Sequence, residues 1–135
     1  MMSMKCKYAL KALVCLASDP NKKLFQTADI ARLENIPKKF LEQILISMKH
    51  ARMVNSKQGI GGGYYLLKKP KDISVADVYR LFDGAIALVP CVSLNFYERC
   101  DDCKNEKNCM LRNEFINIRE GARVVMSKIL SLIHI

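Results

Sequence analysis

Four cysteines, Cys91, Cys100, Cys103 and Cys109, fall within one short polar segment. Thiolate sulfur is a soft anionic donor that binds zinc and iron-sulfur clusters alike, and the Cys100-x2-Cys103 bite is common to both, so spacing alone does not choose the metal. Reversible thiol chemistry and inert cysteines are the other readings. No histidine lies in the segment, since His50 and His134 are far away in sequence. Glu98, Asp101, Asp102 and Glu106 make the loop acidic and are expected to solvate it rather than to ligate iron. Cys6 and Cys15 sit in an apolar helical stretch and read as packing residues. The opening Met-Met-Ser-Met-Lys-Cys-Lys lacks the pattern of a signal peptide, and no run approaches the roughly 20 apolar residues of a membrane span. A cytoplasmic protein with no membrane partner is therefore expected, in which cysteines mean metal or redox chemistry rather than disulfides.

The elements around these cysteines are of two kinds. The stretch from about Gly84 to Asn108 has no sustained periodicity, and so long a loop in a small domain is usually functional or held by something. After it, Leu111, Phe115, Ile118, Ala122, Val125, Ile129 and Leu132 alternate steps of four and three. This heptad seam, on a helix of about 30 Å, has too little chain left to cover it and is expected to pair with a second copy of itself; a long core helix is the other reading.

The N-terminal half is of a different character. Residues 1–71 hold 14 Lys/Arg against 4 Asp/Glu, whereas residues 72–135 hold 8 against 9, so the chain's net charge of +9 belongs to the first half. Nucleic acid is the commonest partner for such a face. A helix is expected from Met4 to Ser18, ended by Asp19-Pro20-Asn21. A second begins with Thr27 as N-cap and stops at Asn35; a third has Pro37 in its first turn and buries Leu41, Ile44, Leu45 and Met48. The opposite face of the third helix carries Lys38, Lys39, Glu42, Gln43 and Lys49. Two short helices in this arrangement make a helix-turn-helix or an ordinary helical hairpin.

The next residues decide between them. Met53–Ser56 and Tyr64–Leu67 read as strands around Lys57, Gln58, Gly59, Ile60, Gly61, Gly62 and Gly63, a hairpin with a basic glycine-rich tip that can press on phosphates or enter a minor groove. A nucleotide-binding loop is excluded because a strand follows the glycines and no Lys-Ser/Thr is present. Ser74 with Asp77 forms a possible capping box for a helix that Gly84 ends. The expected fold is mainly α with a small β-hairpin wing: a winged helix-turn-helix domain over 1–83, a cysteine-rich sensor loop over 84–110 and a dimerisation helix over 111–135. No nucleophile has a nearby His base and no carboxylates pair on a helix face, so an enzyme is not expected. The alternative is a metal-binding or electron-transfer protein whose basic face docks an acidic protein.

In their order along nearly the whole chain, four features resemble the Rrf2 family of bacterial winged-helix regulators, which includes iron-sulfur and nitric-oxide sensors. They are Lys5 through Leu13, the helix core Phe40-Leu41-Glu42-Gln43, the wing Gly59 through Tyr64, and a cysteine-rich loop before a long helix. The resemblance implies a sequence-specific, homodimeric DNA-binding protein in which Glu42 and Gln43 face the major groove and Lys38 and Lys39 contact phosphates. It also implies an iron-sulfur cluster of unspecified nuclearity on three cysteines and a variable fourth ligand; zinc, or no metal, are the alternatives. Cys103 and Cys109 match the family's last spacing. Two departures stand out: both Cys91 and Cys100 lie upstream, and Gln58 occupies the wing position where such sensors often carry arginine.

Overall fold

The computed structural model describes residues 2–19, 21–22 and 24–128. Helix α1 (Met4–Ala17) packs against α2 (Thr27–Glu34), α3 (Lys38–His50) and α4 (Val75–Phe82). It starts where Ser3, the N-cap, accepts from the Cys6 amide at 3.1 Å. Ser3 is itself held by Asp83, the residue that closes α4, whose carboxylate accepts from the Ser3 amide at 2.8 Å and from its hydroxyl. Cys6, Ala9, Ala12, Leu13, Cys15 and Leu16 are all buried along α1, so the two early cysteines are core residues. Burial first, and the Asp83 charge second, push the Cys6 thiol up to about 11.

The reading unit follows from the same core. Helix α2 runs from Thr27, with Gln26 rather than Thr27 at the cap position, and ends at Asn35 in the left-handed conformation (φ 53°). Lys11 crosses from α1 to donate to the Glu34 carbonyl, one of the acceptors a helix end leaves open. Pro37 stands as the N-cap of α3 rather than inside its first turn. Leu41, Ile44, Leu45 and Met48 are buried without remainder. Each contributes about 1.5–3 kcal/mol by leaving water, so α3 is held by one face and its other face is free for a partner.

Strands β1 (Val54–Lys57) and β2 (Gly63–Leu66) pair antiparallel, Val54 opposite Leu66 and Lys57 opposite Gly63. The strands lie one residue off the expected bounds. Unforeseen in the sequence is a bridge between Phe25 and Tyr64, with amide-to-carbonyl bonds of 3.0 and 2.7 Å, which ties the wing to the segment entering α2. The Ser74–Asp77 capping box forms at α4. Beyond Gly84 (φ 84°) the chain makes two short 3-10 turns, Pro90–Val92 and Glu106–Asn108, before α5 (Met110–Met126).

Helix α5 rests on the first of those turns through two arginines seven residues apart. Arg112 Nη2 donates to the Cys91 carbonyl at 3.4 Å, and Arg119 Nη1 to the Val92 carbonyl at 2.7 Å. Its far end meets α4, where the Val75 amide donates to the Lys128 carbonyl at 3.2 Å. Ile129 and Leu132 of the heptad seam lie outside the described residues. Of the rest, Leu111, Ile118 and Val125 are exposed, while Phe115 and Ala122 are half-buried. No helix among the described residues is long and apolar enough to cross a membrane.

Candidate nucleic-acid interface and cysteine pocket

Lys38, Lys39, Glu42, Gln43 and Lys49 are all exposed on the outer side of α3. Ile46 joins them at 49% exposure, an apolar residue on a polar face. Sequence reasoning passed over it, although its position outside the Leu41, Ile44, Leu45, Met48 stripe was the available signal; such a side chain can meet a thymine methyl group. Phe40 lies elsewhere, half-buried and edge-on to Tyr8 with ring centroids 5.6 Å apart, where it supports the helix from behind. Lys49 Nζ donates to Ser56 Oγ at 2.8 Å and so braces the end of α3 against β1.

The wing residues divide by what surrounds them. Lys57 and Gln58 are exposed, and around Gly59 and Gly61 the space is open. Gly63 is required by the protein itself: a Cβ there would lie 2.6 Å from the Phe25 carbonyl oxygen, and its φ is +153°. Gly62 likewise would meet the Lys57 carbonyl at 2.1 Å. Tyr64 is half-buried against the core; burial, then the Glu42 charge, push its phenol above the ordinary range. A groove of about 330 Å³ runs between Gln26 and Thr27 at the start of α2 and the wing residues Lys57, Gly59 and Gly63.

The second site is a cavity of about 460 Å³. All four loop cysteines line it, and the first two turns of α5 supply a wall through Leu111, Arg112 and Phe115. Cys91, on the 3-10 turn, is buried; Cys103 and Cys109 are half-buried; Cys100 is exposed. The Cys100 thiol donates to the Asp102 carboxylate, a bond that raises the thiol above its ordinary range and lowers the carboxyl. Glu106 accepts from the Tyr97 hydroxyl at 2.6 Å. Cys109 has a second use as the N-cap of α5, its sulfur accepting from the Arg112 amide at 3.4 Å. The Arg112 Nε–H is buried and has no acceptor among the described residues.

These exposures predict the thiol chemistry of the metal-free protein. An aromatic disulfide reagent should modify Cys100, Cys103 and Cys109 in the native state, Cys100 more slowly than its exposure alone would give because its bond to Asp102 disfavours the thiolate, and Cys6, Cys15 and Cys91 only after denaturant is added. Peptide mapping that finds Cys91 modified as fast as Cys100 would contradict the buried position of the 3-10 turn.

A short helix pair with a polar, lysine-rich outer face, braced to a glycine-tipped hairpin, defines the winged helix-turn-helix class of DNA-binding proteins. The sequence matches the family described as Rrf2, iron-dependent transcriptional regulator, over residues 2–131. The chain belongs to that family: it is a DNA-binding transcriptional regulator and not an enzyme. An rrf2-like HTH-type transcriptional regulator of Rhodobacter capsulatus is 42% identical over 121 residues, covering 87% of this chain and 81% of the relative. The chain spans 58% of the length of a Mycobacterium tuberculosis regulator it matches at 40% identity. Among solved structures, CymR, the global cysteine regulator of B. subtilis, superposes with a TM-score of 0.81 at 27% identity over 99% of this chain and 95% of that one. T. potens IscR shares the fold, with a TM-score of 0.74 at 23% identity over 97% and 83%.

Proposed function

We propose that the chain acts in the cytoplasm as a homodimer that reads double-stranded DNA with α3 and the wing, and whose DNA affinity is set by a thiolate-bound group, an iron-sulfur cluster, in the cysteine pocket. The observation that carries this reading is the shared wall: the cavity that gathers four cysteines is closed by Leu111, Arg112 and Phe115 on α5, the helix whose exposed stripe would pair with a second copy.

The residues fit such a group by their chemistry. Four sulfur donors line one cavity, and the buried Nε–H of Arg112, without an acceptor among the described residues, offers a hydrogen bond and positive charge to an anionic metal-thiolate assembly. Among the described residues no three His, Cys, Asp or Glu side chains already stand at ligand distance, so the exposed loop must draw its thiols inward on binding. Cys91, Cys100, Cys103 and Cys109 would hold the group; bound, it would supply redox or nitric-oxide reactivity. Arg112 stands three residues after Cys109 and is a charge partner there, not a ligand.

In this reading Gln43 and Glu42 face base edges, Lys38 and Lys39 face phosphates, and Lys57, Gln58, Gly59 and Gly61 form the wing's outer contact. The paired helices set the distance between two half-sites, and the pocket biases that distance from its place against α5. The family's description as iron-dependent regulators and the relatives named IscR support iron over zinc; metal-free thiol chemistry on the same four cysteines is the second reading.

Anaerobic purification with iron, sulfide and zinc assays and a visible spectrum tests it, on the wild type and on Cys103→Ala/Cys109→Ala. A brown protein whose colour and iron vanish in the variant, and whose DNA affinity changes on cluster loss, is the expected result. Colourless protein with stoichiometric zinc makes the pocket structural; protein without metal leaves a DNA-binding thiol switch.

A further inference from the structure

Ile60 stands at the tip of the hairpin with its whole side chain in solvent, the most exposed of the large apolar residues described. A lone exposed isoleucine is ordinary on a protein surface. The place is what gives this one meaning. Its neighbours Gly59 and Gly61 both have positive φ, 98° and 75°, and both lack a side chain in open space, so the tip is one side chain wide. The hairpin that carries it is fixed to α3 through Lys49 and Ser56 and to the entry of α2 through the Phe25–Tyr64 bridge. Beyond Lys57 the tip offers no cation, since Gln58 is neutral.

The minor groove of B-DNA is about 6 Å wide and excludes most elements with flanking side chains, but admits a chain flanked by glycines. Its floor is flat over A·T pairs, whereas each G·C pair raises the guanine 2-amino group into it. A polar or cationic tip can bond to the acceptors on that floor. A branched hydrocarbon cannot, and it is displaced by an amino group that it leaves unpaired.

We propose that Ile60 is a specificity-determining residue: it enters the minor groove beside the site read by α3 and selects A·T pairs there by excluding the guanine 2-amino group. The proposal rests on the DNA-binding function of the family and is independent of what occupies the cysteine pocket.

The test uses the full-length protein and a duplex selected from random sequence by the wild type, with the wing's position located by hydroxyl-radical footprinting. The A·T pairs under the wing are changed to G·C and, in a second duplex, to inosine·cytosine, which lacks the 2-amino group. The wild type should lose about tenfold in affinity on G·C and regain it on inosine·cytosine, and Ile60→Ala should bind all three duplexes alike. Because Ile60 is fully exposed, the variant should melt with the wild type. Equal wild-type affinity for all three duplexes, full discrimination retained by Ile60→Ala, or a footprint without minor-groove protection at the wing would each overturn the proposal.

Discussion

If the proposed homodimer pairs along α5, replacing Ile118 and Val125 with aspartate should yield monomers in analytical ultracentrifugation and weaken binding to a duplex with two half-sites by on the order of a hundredfold or more. Leu111, Ile118 and Val125 are 67%, 49% and 59% exposed, and they follow one another at seven-residue intervals, so they form one stripe down α5. In a paired helix such positions lie at the seam, and two carboxylates there would be desolvated without a partner. The loss on DNA follows from geometry rather than from any contact removed at the operator, because two tethered reading heads bind the second half-site as an intramolecular event. A duplex with a single half-site should therefore bind wild type and variant alike. A variant that sediments as a dimer would move the interface off this stripe.

The second large effect is expected at Gly63. Alanine there places a methyl 2.6 Å from the Phe25 carbonyl oxygen, in a backbone conformation that side chains avoid. The carbonyl belongs to main chain and the methyl is fixed directly to it, so relief requires the bridge to open and its two hydrogen bonds, Phe25 to Tyr64 and back, to lengthen or break. Strain and lost bonding together should cost about 2–4 kcal/mol in denaturant unfolding. Duplex affinity should fall as well, since the wing would no longer be held against the entry of α2. Unchanged stability in Gly63→Ala would mean that the bridge does not form in solution.

Most of the helical fold was legible because each helix writes its own signal. The Leu41, Ile44, Leu45, Met48 stripe, Asn35 as a stop and the Ser74–Asp77 box are local patterns, and all three appear where the sequence placed them. The shifts at Thr27 and Pro37 are single-residue shifts at helix starts, where the boundary itself is least sharply defined. The Phe25–Tyr64 bridge was not legible, because a one-residue pairing between distant segments leaves no periodic trace. It also changes how Gly63 is understood, since the sequence offered the whole glycine run as a contact for phosphate, whereas Gly63 and Gly62 fit tightly against the protein's own carbonyls. In the loop, clustering announced four cysteines, but not that Cys91 would be buried beneath α5 while Cys100 faced solvent; that division depends on the 3-10 turn and on Arg112 and Arg119, whose carbonyl partners are unpredictable from spacing.

The sulfur of Cys109 closes the first turn of α5 and also faces the pocket, and the other end of the same helix is bonded to the start of α4. In the proposed function, a thiolate held by a metal would be a stronger acceptor for the Arg112 amide than a thiol is, so loading the pocket and ordering α5 would favour each other. Thermodynamic reciprocity then fixes a quantity that no inspection of the pocket would suggest: whatever factor the bound group applies to DNA affinity, operator DNA must apply to the retention of the group. In the proposed regulator the operator is in this sense an effector of the bound group, and the equilibrium retention of that group should differ between molecules on and off DNA.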